Sequence, residues 1–366
     1  MKAVALTRYL PIDDPESLLD MELPTPAAPS GYDLLVRVEA ISVNPVDTKV
    51  RAPKPQPLQA PKILGYDAAG VIEAVGPEVT AFAVGDEVYY AGDIGRPGSN
   101  AQYQLVDARI AGCKPTSLSF AQAAALPLTT LTAWELLFQR MPFSFDGARN
   151  RGRHLLIIGG AGGVGSIAIQ LARHAGFTVI ATASRPESIE WVRQMGAHHV
   201  IDHHQPLQPQ LQALGLDTVD AALNLADTDR YWQPLGEVLA PQGHVGLIVE
   251  PRGALSIGDP YKSKCIGIHW ELMFTRALRD RGHGRAAPYP QPGGQPDRCR
   301  RAAHHAYRDA VADQCAAAAR GASSAGKRQH DRQAGAGRLV RRPSGQGRCD
   351  ASMLRLRNRA PARPTA

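Results

Sequence analysis

Residues 154–183 constrain this chain more than any other stretch. HLLIIGG (154–160) is a short apolar run of strand type that enters GAGGVG (160–165); VGSIAIQLARHAG follows with apolar residues at helical spacing, and FTVIATA (177–183) is a second strand-type run. Strand, glycine turn, helix and strand in this order make a βαβ unit, the crossover that joins two parallel strands. Glycines at 160, 162 and 165 have GxGxxG spacing, with Gly159, Gly163 and Val164 in the same turn. Without Cβ atoms the turn can be tight and the helix can pack on the strand. A pyrophosphate can then approach the backbone, where the helix N-terminus offers free N–H groups and the positive end of its dipole. Gly159, Gly160, Gly162, Gly163, Val164 and Gly165 are therefore the expected dinucleotide contacts.

The chain has 366 residues, and two domains are the default above roughly 250–300. Residues 1–120 hold MKAVAL, DLLVRVEAIS, AAGVIEAVG, DEVYYAG and AQYQLV, short β-type runs separated by Pro, Gly, Asp and Asn clusters. That spacing predicts a β domain. From 121 onward helix and strand alternate. SFAQAAALPLTTLTAWELLFQ and ESIEWVRQMG read as helices, and HVIDH, AALNLA and HVGLIVE as strands. The alternation predicts an α/β fold with a doubly wound parallel sheet over 121–278.

The end of the second strand is where nucleotide choice is read. An acidic side chain there holds the ribose 2′-OH of NAD, whereas a cation suits a 2′-phosphate. This chain has Thr182, Ala183, Ser184 and Arg185, with no carboxylate before Glu187. Ser184 and Arg185 can both donate hydrogen bonds to a dianion, so NADPH is the expected cofactor; the structural alternative is that Arg185 only caps a solvated loop.

With ISVNPVDTKVR, ILGYDAAGVIEAVG, VGDEVYYAG, ALPLTTLTAWELLF, IIGGAGGVGSIAIQLAR, TASRPES and IGIHWELMF in succession, residues 1–278 resemble the medium-chain dehydrogenase/reductases. The resemblance is to the quinone oxidoreductase branch and its zinc-type alcohol dehydrogenase-like members. It implies a GroES-like catalytic domain over 1–120, a Rossmann domain over 121–278, and a nicotinamide in the cleft between them. It also implies Thr129 and Thr132 as nicotinamide-side contacts, and it places Asn44, Asp47, Lys49 and Tyr66 near the nicotinamide pocket. Relatives of this kind commonly pair through the edge of the Rossmann sheet, which extends to this chain the expectation of a homodimer.

Zinc-dependent relatives carry a Cys where this chain has Asn44, a His-Glu pair where it has Tyr66 and Asp67, and a four-Cys lobe after VGDEV, where no Cys occurs before Cys113. Zinc takes Cys, His or carboxylate ligands in a tetrahedral array, and Asp67 alone does not supply one, so no metal is expected. His198, His199, His203 and His204 read as solvated loop residues. Without a Lewis acid an alkoxide has no charge partner, whereas a quinone or an α,β-unsaturated carbonyl takes hydride into a conjugated system. The expected activity is NADPH-dependent reduction of a quinone or enone, in preference to zinc-dependent alcohol oxidation. Asn44 would orient the nicotinamide or the substrate carbonyl. Tyr66 would stack on the substrate or donate to the developing enolate. A tyrosine satisfied by a backbone carbonyl and a plain Asn-Pro turn are the structural alternatives.

The net charge of +7 belongs to one end of the chain: residues 279–366 hold 18 Arg and one Lys against six Asp and no Glu. Rich in Arg, Ala, Gly and Pro, this tail has the composition of a disordered segment. Its aromatic residues are Tyr289 and Tyr307 alone, too few to stack bases, so an RNA-associated nucleotide-binding protein with little turnover is the weaker reading and nucleic acid is not the expected partner. Family members close with segments resembling PINAANL and IGKIVL. One base dropped from codons chosen for Ala312–Cys315 spells Pro-Ile-Asn-Ala, and the same shift over His330–Gly337 spells Met-Ile-Gly-Lys-Leu-Val-Leu-Ala. The tail therefore reads as a change of frame near Leu278, which the nucleotide sequence tests directly.

No stretch approaches the ~20 apolar residues of a bilayer span, and the apolar segment after Lys2 is too short and interrupted for a secretory signal. Five cysteines, at 113, 265, 299, 315 and 349, lack CxxC spacing. A reducing, cytoplasmic setting is the expectation.

Overall fold

The computed structural model describes residues 1–279; the basic tail and its proposed change of frame lie outside the described residues. Contacts divide the described chain into two units, Met1–Pro127 with residues 276–279, and Leu128–Thr275.

The first unit contains β1 (Lys2–Leu6), β2 (Leu19–Glu22), β3 (Asp33–Ile41), α1 (Pro45–Arg51), β4 (Lys62–Ile63), β5 (Ala68–Val75), β6 (Glu87–Tyr90), β7 (Tyr103–Asp107), β8 (Ala111–Cys113) and α2 (Phe120–Ala124). Its five-stranded antiparallel sheet runs β7-β3-β5-β6-β8, beside a smaller sheet β2-β1-β4. Alternation along β3 puts Leu34, Val36 and Val38 on one face, where they pack with Ile72, Val88 and Tyr90. The segment NPVD is the start of α1 and not an isolated turn. Pro45 occupies the first helical position, where its missing N–H costs nothing, and the Asp47 carboxylate accepts the Asn44 N–H at 2.7 Å.

The second unit continues with α3 (Pro127–Glu135), a π-helical turn (Leu136–Arg140), β9 (His154–Ile158), α4 (Gly163–His174), β10 (Thr178–Thr182), α5 (Pro186–Met195), β11 (His199–Ile201), α6 (Leu207–Ala213), β12 (Val219–Asn224), α7 (Thr228–Val238), β13 (Leu239–Leu247) and β14 (Gly267–Trp270). All six strands are parallel, in the order β11-β10-β9-β12-β13-β14. Leu155–Ile158 are buried because helices cover both faces of the sheet. The chain leaves β9 toward β10 and β11, then returns to the other side of β9 at β12. Such a reversal opens a crevice at the carboxyl ends of the two central strands. The glycine turn follows β9 directly.

Two local readings change. The single helix expected over 119–139 is broken at Ala125 and Leu126 between α2 and α3. Pro127 is the cause: its ring disfavours helical geometry at the residue before it and it has no N–H to continue the ladder. His199, expected in a loop, opens β11, and the ring of His198 accepts the Val179 N–H at 2.9 Å. That backbone donor sits at the sheet edge, and a nearby imidazole nitrogen satisfies it.

Candidate functional site

The glycine turn is built from backbone contacts that side chains would prevent. Gly159 has φ +81°, a left-handed conformation, and its N–H donates to Thr182 Oγ1 at 3.0 Å, which ties the turn to the end of β10. A Cβ on Gly165 would lie 2.4 Å from the Gly159 carbonyl oxygen and 2.7 Å from that of Gly160, so α4 can approach β9 only through a glycine. Gly160 is buried, whereas Gly162, Gly163 and Val164 retain solvent access at the start of α4. No side chain caps that helix at Gly162, so its first N–H groups are presented as a dinucleotide pyrophosphate requires. Thr129 reaches the same turn: its Cγ2 would be 3.0 Å from a Cβ on Gly163. Thr132 differs, because its hydroxyl donates within α3 to the Leu128 carbonyl at 2.8 Å. On the outer side, Trp191 Nε1 donates to Ser166 Oγ at 2.8 Å, and Ser166 Oγ donates to the Gly162 carbonyl at 2.7 Å.

At the end of β10, Ser184 is half-buried and Arg185 is exposed. His203 joins them: Ser184 Oγ lies 3.4 Å from His203 Nε2. The backbone of His203 is held from α7, its carbonyl accepting from Arg230 at 2.8 Å and from the Tyr231 hydroxyl at 3.3 Å. Burial, then the neighbouring His204, hold its pKa below the ordinary histidine value. The solvated-loop reading of His203 is thus replaced by a half-buried partner of Ser184. Its distance of 19 residues from Ser184 hid this contact, because only the pairing of β10 with β11 brings the two together. A cavity of about 300 Å³ beside Ser184 is lined also by Arg193, Asp202 and Gln210.

In the first unit, Asn44, Asp47, Tyr66 and Asp67 form one buried cluster around the start of α1. Asn44 Nδ2 donates to Asp67 Oδ2 at 2.8 Å. Asp47 accepts the Asn44 N–H through Oδ2 and the Gly65 N–H through Oδ1 at 3.2 Å. Burial raises the Asp47 pKa, with those two backbone donors working the other way. Burial first, then the Asp47 charge, push the Tyr66 phenol up to about 12, so it is a proton-bearing donor at any physiological pH. Lys49 is exposed on α1, and no hydrogen bond or ion pair among the described residues joins it to this cluster. The partnership of Asn44 with Asp67 was not legible, since 23 residues separate them.

Comparison with known proteins follows these two sites. The alcohol dehydrogenase GroES-like domain family matches residues 30–132 and the zinc-binding dehydrogenase family matches 163–261. A zinc-type alcohol dehydrogenase-like protein of Staphylococcus epidermidis is 41% identical over 279 residues, 76% of this chain and 82% of that one. The chain belongs to the medium-chain dehydrogenase/reductase superfamily. A solved structure from Rhizobium etli, named for a zinc-dependent alcohol dehydrogenase, superposes with TM-score 0.71 at 52% identity, covering 76% of this chain and 80% of that one. An NADPH-dependent alkenal/one oxidoreductase of Arabidopsis thaliana is 39% identical over 181 residues, 46% of this chain and 45% of that one.

As a medium-chain dehydrogenase/reductase the protein is an oxidoreductase, and its glycine turn fits the nicotinamide nucleotide that members of the superfamily bind. Its donor set does not fit zinc. Asn44 and Tyr66 supply an amide and a high-pKa phenol, and the Asp67 carboxylate is engaged by the Asn44 amide. Among the described residues no three His, Cys, Asp or Glu side chains are grouped as metal ligands, and no helix is long and apolar enough to cross a membrane.

Proposed function

We propose that this protein is an NADPH-dependent reductase of α,β-unsaturated carbonyl compounds or quinones and works without zinc. The observation that carries the reading is the Asn44–Asp67 hydrogen bond, which replaces a metal ligand set by a neutral, oriented amide. When bound, the dihydronicotinamide supplies two electrons as a hydride. The chain's own residues must then bind the nucleotide, orient the acceptor and meet the charge that grows on its carbonyl oxygen. In a conjugated acceptor that charge is an enolate or phenolate, which hydrogen-bond donors stabilise without a Lewis acid.

Asp67 fixes the Asn44 side chain so that it cannot rotate freely, which suits it to orient a carboxamide or carbonyl. Tyr66 keeps its proton because of burial and the Asp47 charge, and is the donor suited to an enolate oxygen. Asp47 positions both by fixing the start of α1 and the Gly65 backbone. In the second unit, Gly159 to Gly165 receive the pyrophosphate. Ser184 and Arg185, with His203 behind Ser184, receive the 2′-phosphate.

The test of the reading is a titration of the full chain with NADPH and NADH, followed by Trp191 fluorescence because its indole is linked through Ser166 to the glycine turn. A parallel assay follows NADPH oxidation with a small enone and with a benzoquinone. Arg185→Ala removes one charge-assisted contact, so NADPH affinity is expected to fall on the order of tenfold while NADH affinity stays within about twofold. Equal losses for both nucleotides would mean that Arg185 does not read the 2′-phosphate.

A further inference from the structure

Glu135 at the end of α3, Arg140 at the end of the π-helical turn and Glu271 directly after β14 meet inside the second unit. Arg140 Nη2 lies 3.0 Å from Glu135 Oε2 and its Nε lies 2.7 Å from Glu271 Oε2, while the two glutamate side chains are only 2% and 0% exposed. Neither Glu271 oxygen has a well-directed hydrogen bond among the described residues, so its contact with Arg140 is ionic. Two buried carboxylates face one guanidinium. An uncompensated buried charge is expensive, and the cheapest remedy is to keep a proton on one carboxyl.

The surroundings supply no second cation to relieve the excess. His269 on β14 donates a ring N–H to the Arg140 backbone carbonyl, and its Nε2 lies 3.0 Å from His244 Nδ1 on β13. Burial lowers the pKa of both imidazoles, with Arg153 adding to the effect on His244, so the pair is neutral at pH 7 and above. Burial, then the Glu135 charge, push Glu271 up to about 8 against the pull of Arg140.

The place of the cluster gives it a consequence. The Glu271 N–H donates to the Leu247 carbonyl at 3.0 Å, joining the residue after β14 to the last residue of β13. The Thr275 N–H closes the following turn on Leu272 at 2.8 Å. This is the carboxyl edge of a parallel sheet, where ligands of doubly wound folds sit. We propose that Glu135, Arg140 and Glu271 are a proton-loaded brace. One shared proton holds the 271–274 turn in the conformation that receives the nucleotide, and loss of that proton weakens nucleotide binding. These are positioning residues, and the proposal rests on the nucleotide-binding reading above.

The experiment uses the full chain, titrated with NADPH from pH 6.5 to 9.5, with thermal unfolding recorded without nucleotide from pH 5 to 9.5. A proton with a midpoint of about 8 leaves the brace loaded in roughly nine tenths of molecules at pH 7 and one tenth at pH 9. The NADPH affinity is therefore expected to fall about tenfold between them. Glu271→Gln keeps the side-chain shape and removes the ionisation, so its affinity is expected to be flat with pH. Glu135→Gln leaves Glu271 alone with Arg140, and is expected to flatten the profile as well.

Unfolding follows its own window. Folded Glu271 holds a proton that the unfolded chain releases near the ordinary glutamate value, so stability is greatest at the acid end, declines as pH rises and levels off above about 8. Both variants are expected to lose that slope. Unfolding and affinity profiles in the variants that run parallel to the wild type overturn the proposal, as does a wild-type affinity that does not change with pH. If NADPH fails to bind at every pH, the cofactor reading falls. The link to nucleotide binding falls with it, while the unfolding slope still reports whether the cluster holds a proton.

Discussion

Arg140→Met is expected to cost about 3–5 kcal/mol of unfolding free energy at pH 8, because it removes the cation shared by two buried carboxylates and leaves their charge uncompensated. The side chains it would abandon are 2% and 0% exposed, so water cannot take its place. At pH 5 both carboxyls can be protonated at smaller cost, and the loss should shrink toward what is due to packing alone. The double variant Arg140→Met with Glu271→Gln removes one of the charges along with the cation and should recover part of the loss. Urea unfolding at the two pH values measures all of this. A single-variant loss below about 1 kcal/mol at pH 8 would mean that the pairs contribute no more than surface ion pairs do.

Gly165→Val is expected to reduce nucleotide affinity by about 30- to 100-fold and stability by roughly 2–3 kcal/mol. A Cβ at this position lies 2.4 Å from the Gly159 carbonyl oxygen and 2.7 Å from the Gly160 carbonyl oxygen. Both obstacles are backbone, so no rotamer change relieves them and α4 must move off β9. The turn that presents N–H groups to the pyrophosphate moves with it. Fluorescence titration with NADPH and thermal unfolding of the same sample separate the two effects. Unchanged affinity in a stably folded variant would show that the turn does not bind the nucleotide.

Much of the fold was legible because its carriers are local. The apolar run of β9, the glycines after it and the apolar face of α4 lie within a few residues of one another, and their geometry follows from glycine's missing Cβ and from helical spacing. The same is true of the alternation in β3. The break between α2 and α3 was missed although its cause, Pro127, is also local: the apolar periodicity on either side of it outweighed the proline. The extra residues of the candidate sites were missed for a different reason. Asp67 completes Asn44, His203 backs Ser184, and Glu271 faces Glu135 and Arg140, each across a long sequence separation.

The sequence alone determined the two-part α/β organisation, the dinucleotide turn at 159–165 and the absence of a carboxylate before Glu187. It could do so because backbone conformation and periodic burial depend on neighbours in the chain. Only the tertiary structure decided that Asp67 occupies itself with the Asn44 amide, that Tyr66 keeps a proton to about pH 12, and that two glutamates share one arginine in the second unit. Those properties arise from desolvation and from charges brought within a few ångströms by strand pairing, and the strength of both depends on what surrounds a group in space.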